Sequence, residues 1–182
     1  MKVIVICASP RKNGNSEILA DQFIKGAQFS GHDVEKINIA YQSIKPCLAC
    51  EYCRYHENEC IQKDDSQTII QKIIESDVLT FVTPIYFYSL PAQLKLLIDR
   101  FFAKEYEIRE SQKRKKAYFI LTSGTTDIQQ TVGCVESLRG FIKILRTVDE
   151  CGIIYGLGAF HKGDAFKHKS FQEAFDMGKD IE

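Results

Sequence analysis

The chain has 182 residues, 45% hydrophobic and 26% charged, which is the profile of a folded globular protein with room for one domain. Lys+Arg and Asp+Glu both total 24, so the net charge is zero. That balance excludes a general nucleic-acid binder, which needs a basic excess, and the acidic surface of a small electron carrier.

Val3–Ile6 form a short, mostly β-branched apolar run, as expected of a strand buried on both faces. Pro10 ends the run and Gly14 gives the turn a position of free backbone geometry. A helix follows, with Ile18, Leu19, Phe23, Ile24 and Ala27 on its buried side and Asn15 or Ser16 as its cap. The first amides of a helix have no helical partners and sit at its positive end, so this turn is an anion site. Ser9, Asn15 and Ser16 can donate to phosphate oxygens, and Arg11 can add a charge-assisted bond. The loop is therefore expected to hold a terminal phosphate.

Strand-like runs recur at Val34–Ile39, Val78–Val82, Ala117–Thr122 and Gly152–Tyr155. Helical stripes lie between them: Ile69, Ile70, Ile73 and Ile74; Leu94, Leu97, Ile98, Phe101 and Phe102; Val135, Leu138, Ile142 and Leu145. The alternation predicts an α/β fold, a doubly wound five-stranded parallel sheet of order 2-1-3-4-5 with helices on both faces. Residues 1–182 read as one domain, with a cysteine-rich insertion at 40–63 and a C-terminal extension at 156–182. Lys113–Lys116 form a basic cluster, read as a solvated loop before a strand rather than a magnet for a phosphorylated donor.

The sequence lacks a P-loop motif and the three spaced glycines of a dinucleotide site, so a mononucleotide phosphate is favoured. In such sheets the ligand lies beyond the strands' carboxyl ends at the switch point. The third strand exits through Thr83–Pro91, an aromatic loop suited to a flat heteroaromatic ring. The fourth exits through Thr122–Thr126, small and polar, where a backbone can approach closely.

Ser9–Ser16, Pro84-Ile85-Tyr86-Phe87 and Pro91-Ala92-Gln93-Leu94-Lys95 with Ile98-Asp99-Arg100 together resemble the flavodoxin-like, NAD(P)H-dependent FMN reductase family. The resemblance runs from about Met1 to Tyr155. It implies that Ser9, Arg11, Lys12, Asn13, Gly14, Asn15 and Ser16 hold the FMN phosphate. Pro84, Ile85, Tyr86 and Phe87 would border the isoalloxazine ring, with amides at its polar edge, and Ser123 and Gly124 would lie near its other edge. Asp99 and Arg100 are expected to be structural or at a subunit contact. Ala8 stands where many members have glycine, and Phe87 where tryptophan is common.

Cys47, Cys50, Cys53 and Cys60 give the spacing C-x2-C-x2-C-x6-C. Four thiolates so placed suit a [4Fe–4S] cluster or a tetrahedral zinc site, or they remain a bare loop. The spacing is similar to the iron–sulfur flavoprotein branch of the family, which is the reason to set iron before zinc. Cys7, Cys134 and Cys151 read as buried small hydrophobes.

The expected function is transfer of electrons from NAD(P)H, a transient donor, through FMN to a quinone, a flavin or another small-molecule or protein acceptor. No side chain is needed as nucleophile or base, and His56, His161 and His168 read as surface residues. The alternatives are an iron–sulfur flavoprotein serving a protein partner and a non-redox mononucleotide-binding module. No apolar run is long enough to cross a membrane and the N-terminus does not read as a signal peptide, so a cytoplasmic protein is expected. The family resemblance implies a homodimer or homotetramer, and the extension's Phe166, Phe171 and Phe175 are expected to close the sheet or reach a partner subunit.

Overall fold

Lys2–Cys7 (β1), Asp33–Asn38 (β2), Val78–Pro84 (β3), Lys115–Ser123 (β4) and Val148–Leu157 (β5) pair in parallel, in the order β2-β1-β3-β4-β5, as expected. The structure is a computed structural model that describes residues 1–56, 59–111 and 113–182. Glu57 and Asn58 of the insertion, and Gln112 beside the basic cluster, lie outside the described residues. The helices are Asn15–Phe29 (α1), the single turn Tyr52–Tyr55 (α2), Asp65–Glu75 (α3), Ala92–Arg100 (α4), Glu105–Glu110 (α5), Val132–Leu145 (α6) and Ser170–Lys179 (α7). None of the described helices is long and apolar enough to cross a membrane.

Alternation along each strand divides the core between the sheet's two faces. Ile4, Ile6, Leu79, Phe81, Phe119 and Leu121 face one way, under α3, α4 and α6. Val3, Val5, Val78, Val82, Tyr118 and Ile120 face the other, under α1 and α7. The extension thus covers its own chain's sheet. Two glycines let α7 lie directly on α1: a Cβ at Gly26 would stand 1.9 Å from the Phe175 carbonyl oxygen, and one at Gly178 would stand 2.1 Å from that of Phe23.

Three local readings are corrected. Gly14 caps α1 with no side-chain bond, because Asn15 and Ser16 already lie inside the helix and their side chains are engaged elsewhere. Phe102 falls outside α4 in a 3-10 turn and is exposed, with Arg54 over its ring at 5.5 Å. Cys151 is exposed because β5 carries a bulge there: Ala117 pairs with Glu150 and Tyr118 with Gly152, leaving Cys151 unpaired and turned out.

The basic cluster is a set of ties at the sheet's amino end, away from the strand exits. Lys113 pairs with Asp77 at 2.6 Å and Arg114 with Asp149 at 2.5 Å, while Lys116 donates to the Glu182 carbonyl oxygen. Lys115 is buried and donates to the Ile74 and Ser76 carbonyls, closing the open end of α3.

Candidate functional site

Ala8–Gly14 leads from β1 into α1 by a sequence of short local bonds. Ser9 is buried and its Oγ accepts from the Arg11 amide at 3.3 Å. Asn13 takes a left-handed φ of 51°, and Gly14 donates to the Arg11 carbonyl at 3.0 Å. Glu17 reaches back to accept from the Asn13 amide at 2.6 Å and pairs with Lys36 at 3.2 Å. Burial works to raise Glu17, but these partners hold it below the usual carboxylate range. Sequence reading missed Glu17; the signal was an acidic residue at the third helical position, reaching back as in a capping box. The amides of Asn15, Ser16 and Glu17 open α1 and have no helical acceptors.

A cavity of about 490 Å³ opens at the carboxyl ends of β1, β3 and β4. Ser9, Arg11, Asn15, Ser16, Pro84, Ile85, Tyr86, Phe87, Ser123 and Gly124 all line it, so ten of the predicted residues meet at one place. Lys12, Asn13 and Gly14 do not line it. Lys12 turns outward, its Nζ 5.4 Å from the centre of the Tyr41 ring. Ser16 Oγ is 2.6 Å from Thr122 Oγ1, which joins the α1 start to the β4 exit.

Tyr86 and Ser89 exchange backbone bonds of 3.1 and 3.0 Å across Phe87 and Tyr88, whose φ angles are 47° and 65°. This is a type I′ turn, which favours Asn-Gly; here two aromatic residues occupy its strained centre. Phe87 is 99% exposed at the tip. The Ile85 amide donates to the Thr122 carbonyl at 2.9 Å and that of Tyr86 to Ser89, so neither is free for a ligand edge. Of the expected amide donors in this loop, that leaves Phe87.

The cysteine insertion is held by Arg100, the last residue of α4. Its guanidinium donates to Asp64 at 2.5 Å, to the Lys45 and Gln62 carbonyls at 3.0 and 3.2 Å, and to Cys60 Sγ at 3.2 Å. Burial works to raise Asp64, yet bonds from Arg100, Ser66 and the Lys45 amide hold it down at about 2. Asp99 instead pairs on the surface with Lys95. Arg100 is therefore structural, as expected, and its task is to anchor the insertion.

Cys47, Cys50, Cys53 and Cys60 line a second cavity, of about 580 Å³, with Ile98, Phe101 and Phe141 on its apolar side. Ala49 and Glu51 take left-handed φ angles of 51° and 56°, so the loop coils tightly between the thiols. Burial, with Cys60, Cys47 and Cys50 nearby, pushes the Cys53 thiol up. Four thiols around one cavity are the donor chemistry of an iron–sulfur cluster, though they do not converge on one point here. Among the described residues no three His, Cys, Asp or Glu side chains are placed to hold a metal ion.

Sequence reading missed Gln130, Ala159 and Phe160, which complete the first cavity's lining. Of the extension's aromatic stripe, Phe166 is exposed and packs on Phe171 with ring centres 5.5 Å apart, and neither lines this cavity.

An iron–sulfur flavoprotein of Archaeoglobus fulgidus is 32% identical over 154 residues, covering 85% of this chain and 65% of that protein. An iron–sulfur flavoprotein of Methanocaldococcus jannaschii is 37% identical over 100 residues, covering 55% of this chain and 51% of that protein. The chain thus spans between half and two thirds of the length of these curated relatives. Among solved structures, an NAD(P)H:quinone oxidoreductase from Methanothermobacter marburgensis superposes with a TM-score of 0.75 at 22% identity, covering 98% of this chain and 96% of that one. The sequence profile of one family matches residues 1–154, and it meets the loops that build the first cavity. The chain belongs to the NADPH-dependent FMN reductase family.

Proposed function

We propose that the protein is an FMN-dependent oxidoreductase that takes electrons from NADH or NADPH and delivers them to a quinone, a flavin or another acceptor. One observation carries this reading: the cavity at the switch point joins an anion-binding helix start to an aromatic loop, in a chain of the FMN reductase family. FMN, when bound, supplies hydride acceptance and electron release. The chain supplies position. The α1 amides, Ser9 and Arg11 bind the phosphate, and the Pro84–Phe87 loop borders the ring.

In this reading residues 1–182 form one flavodoxin-like unit, working in the cytoplasm as a homodimer or homotetramer. Exposed Phe87 and Tyr88 on the cavity rim, with exposed Ile128 and Val132, support a covered face in the assembly.

Titration of the purified protein with FMN, followed by anaerobic addition of NADH or NADPH, tests the proposal. Saturation near one FMN per chain and bleaching of the flavin absorbance by the donor support it. No FMN binding overturns it, and binding without bleaching overturns the NAD(P)H-dependent step, leaving the second reading below or the non-redox module. A second reading, an iron–sulfur flavoprotein, is favoured by the four thiols around one cavity and by the relatives' names. Iron, zinc and sulfide assays on anaerobically prepared protein separate it from the first, since four irons and four sulfides per chain are its signature.

A further inference from the structure

Residues 156–182 lie beyond the segment that the family profile matches, yet they finish the first cavity. β5 ends at Leu157, and Gly158 reverses the chain with a φ of 77°. The Gly158 amide then donates to the Thr125 carbonyl at 2.7 Å and that of Ala159 to Ser123 at 3.0 Å. The chain therefore doubles back along the exit of β4. Phe160 lands on Gly124: a Cβ there would stand 2.7 Å from Phe160 Cδ2. The face of Gly124 that the sequence offers to a ligand is taken by a phenyl ring. That ring lines the cavity and is 69% exposed, an apolar surface with nothing over it among the described residues.

What holds Phe160 there is Asn15. Its Nδ2 donates to the Ala159 and His161 carbonyls at 2.9 and 2.8 Å, and its Oδ1 accepts from the Gly163 and Ala165 amides at 3.1 and 3.2 Å. Two donors and two lone pairs are the whole capacity of the side-chain amide. Asn15 therefore has no side-chain bond left for a phosphate, although its backbone amide still faces the helix start. The His161 amide bonds to Asp164 at 2.6 Å and Ala165 is buried, so 159–165 wraps around one side chain.

We propose that Phe160 is a ring contact for the flavin, supplied by the C-terminal extension, and that Asn15 is the residue that positions it. The proposal rests on the reading that this cavity takes FMN. Phe160 does the work expected of Gly124, at the same edge of the cavity, with aromatic surface in place of bare backbone. Asn15 acts on the ring end of the site and not on the phosphate end.

Riboflavin carries the same ring as FMN without the phosphate, so the two ends can be read separately. Flavin fluorescence titrations of wild-type protein and of the variants F160A, F160Y, N15A and F160A/N15A, each with FMN and riboflavin, test the proposal. F160A is expected to weaken both flavins by the same factor, about tenfold. F160Y, which keeps the ring, is expected to bind as wild type does. N15A is expected to weaken both flavins alike and to add little in the F160A background, because the two residues act through one contact. Phe160 is largely exposed, so F160A tests the ring contact without threatening the fold. Unchanged affinities in F160A overturn the ring contact. Weakening of FMN alone in N15A overturns the positioning role and returns Asn15 to the phosphate. Wild-type protein that binds neither flavin overturns the function reading itself, an outcome distinct from the other two.

Discussion

Arg100 donates to Asp64 at 2.5 Å with both side chains out of water, and the same guanidinium touches Cys60 Sγ at 3.2 Å. A planar fork with five donors can serve a carboxylate, two carbonyls and a sulfur at once, which a lysine cannot. The end of α4 is thereby fixed to both ends of the cysteine insertion, at Lys45 and at Cys60–Asp64. R100A strands a buried carboxylate and is expected to cost about 3–5 kcal/mol. D64N keeps an acceptor for the Ser66 amide and is expected to cost less. Urea unfolding of both variants, with the double variant closing the cycle, checks the order and the coupling.

The same pair sets an acid limit. Asp64 titrates at about 2 in the native chain, against an ordinary value of 3.8. Its folded value is depressed, so its contribution is present above the unfolded value and is lost as pH falls from about 4 through about 2. The shift corresponds to about 2 kcal/mol. Unfolding free energies measured from near-neutral pH down to about pH 2 are expected to fall more steeply for wild type than for D64N. Parallel curves would show that other carboxylates set the limit.

Thiol chemistry sorts the seven cysteines by burial. Burial pushes Cys7 up to about 11 and Cys134 up to about 12, and neither is reachable from solvent. Cys47, Cys50 and Cys151 are exposed. An aromatic disulfide reagent on native protein is expected to modify Cys47, Cys50 and Cys151 first, and Cys7 and Cys134 only on unfolding. In protein that carries iron and sulfide, protection of Cys47 and Cys50 with Cys151 still reactive is the expected pattern for the second reading.

Tyr88 occupies a left-handed position at a φ of 65°, beside Phe87 at 47°. Glycine takes that conformation without steric cost, so Y88G is expected to stabilise the protein by about 1 kcal/mol. Thermal unfolding measures it. A loss of stability would show that contacts of the Tyr88 side chain make up for the strain.

The sheet order was readable because the strand runs are apolar and regularly spaced, and because Pro84 and Gly14 mark their exits in chemistry as well as position. Ten of the thirteen predicted cavity residues meet for the same reason: they sit at strand ends, where topology alone brings them together. What stayed hidden depends on long-range partners. Asn15 reads as a cap or a phosphate donor until Ala159 and Ala165 are seen beside it. Lys115 reads as one more solvated charge until the carbonyls at the end of α3 claim it. Cys151 looks buried in sequence because a bulge leaves no mark in an apolar run.

Asn15 meets carbonyls and amides 144 to 150 positions further along the chain. During synthesis the first loop is made early, but its wall is not. The β1–α1 segment emerges with an unsatisfied side-chain amide and an open cavity, and both conditions persist until residues beyond 158 have been made and folded back. Any cofactor that needs the whole cavity therefore finds it only after the sheet has closed, which makes loading a late event in the life of the chain.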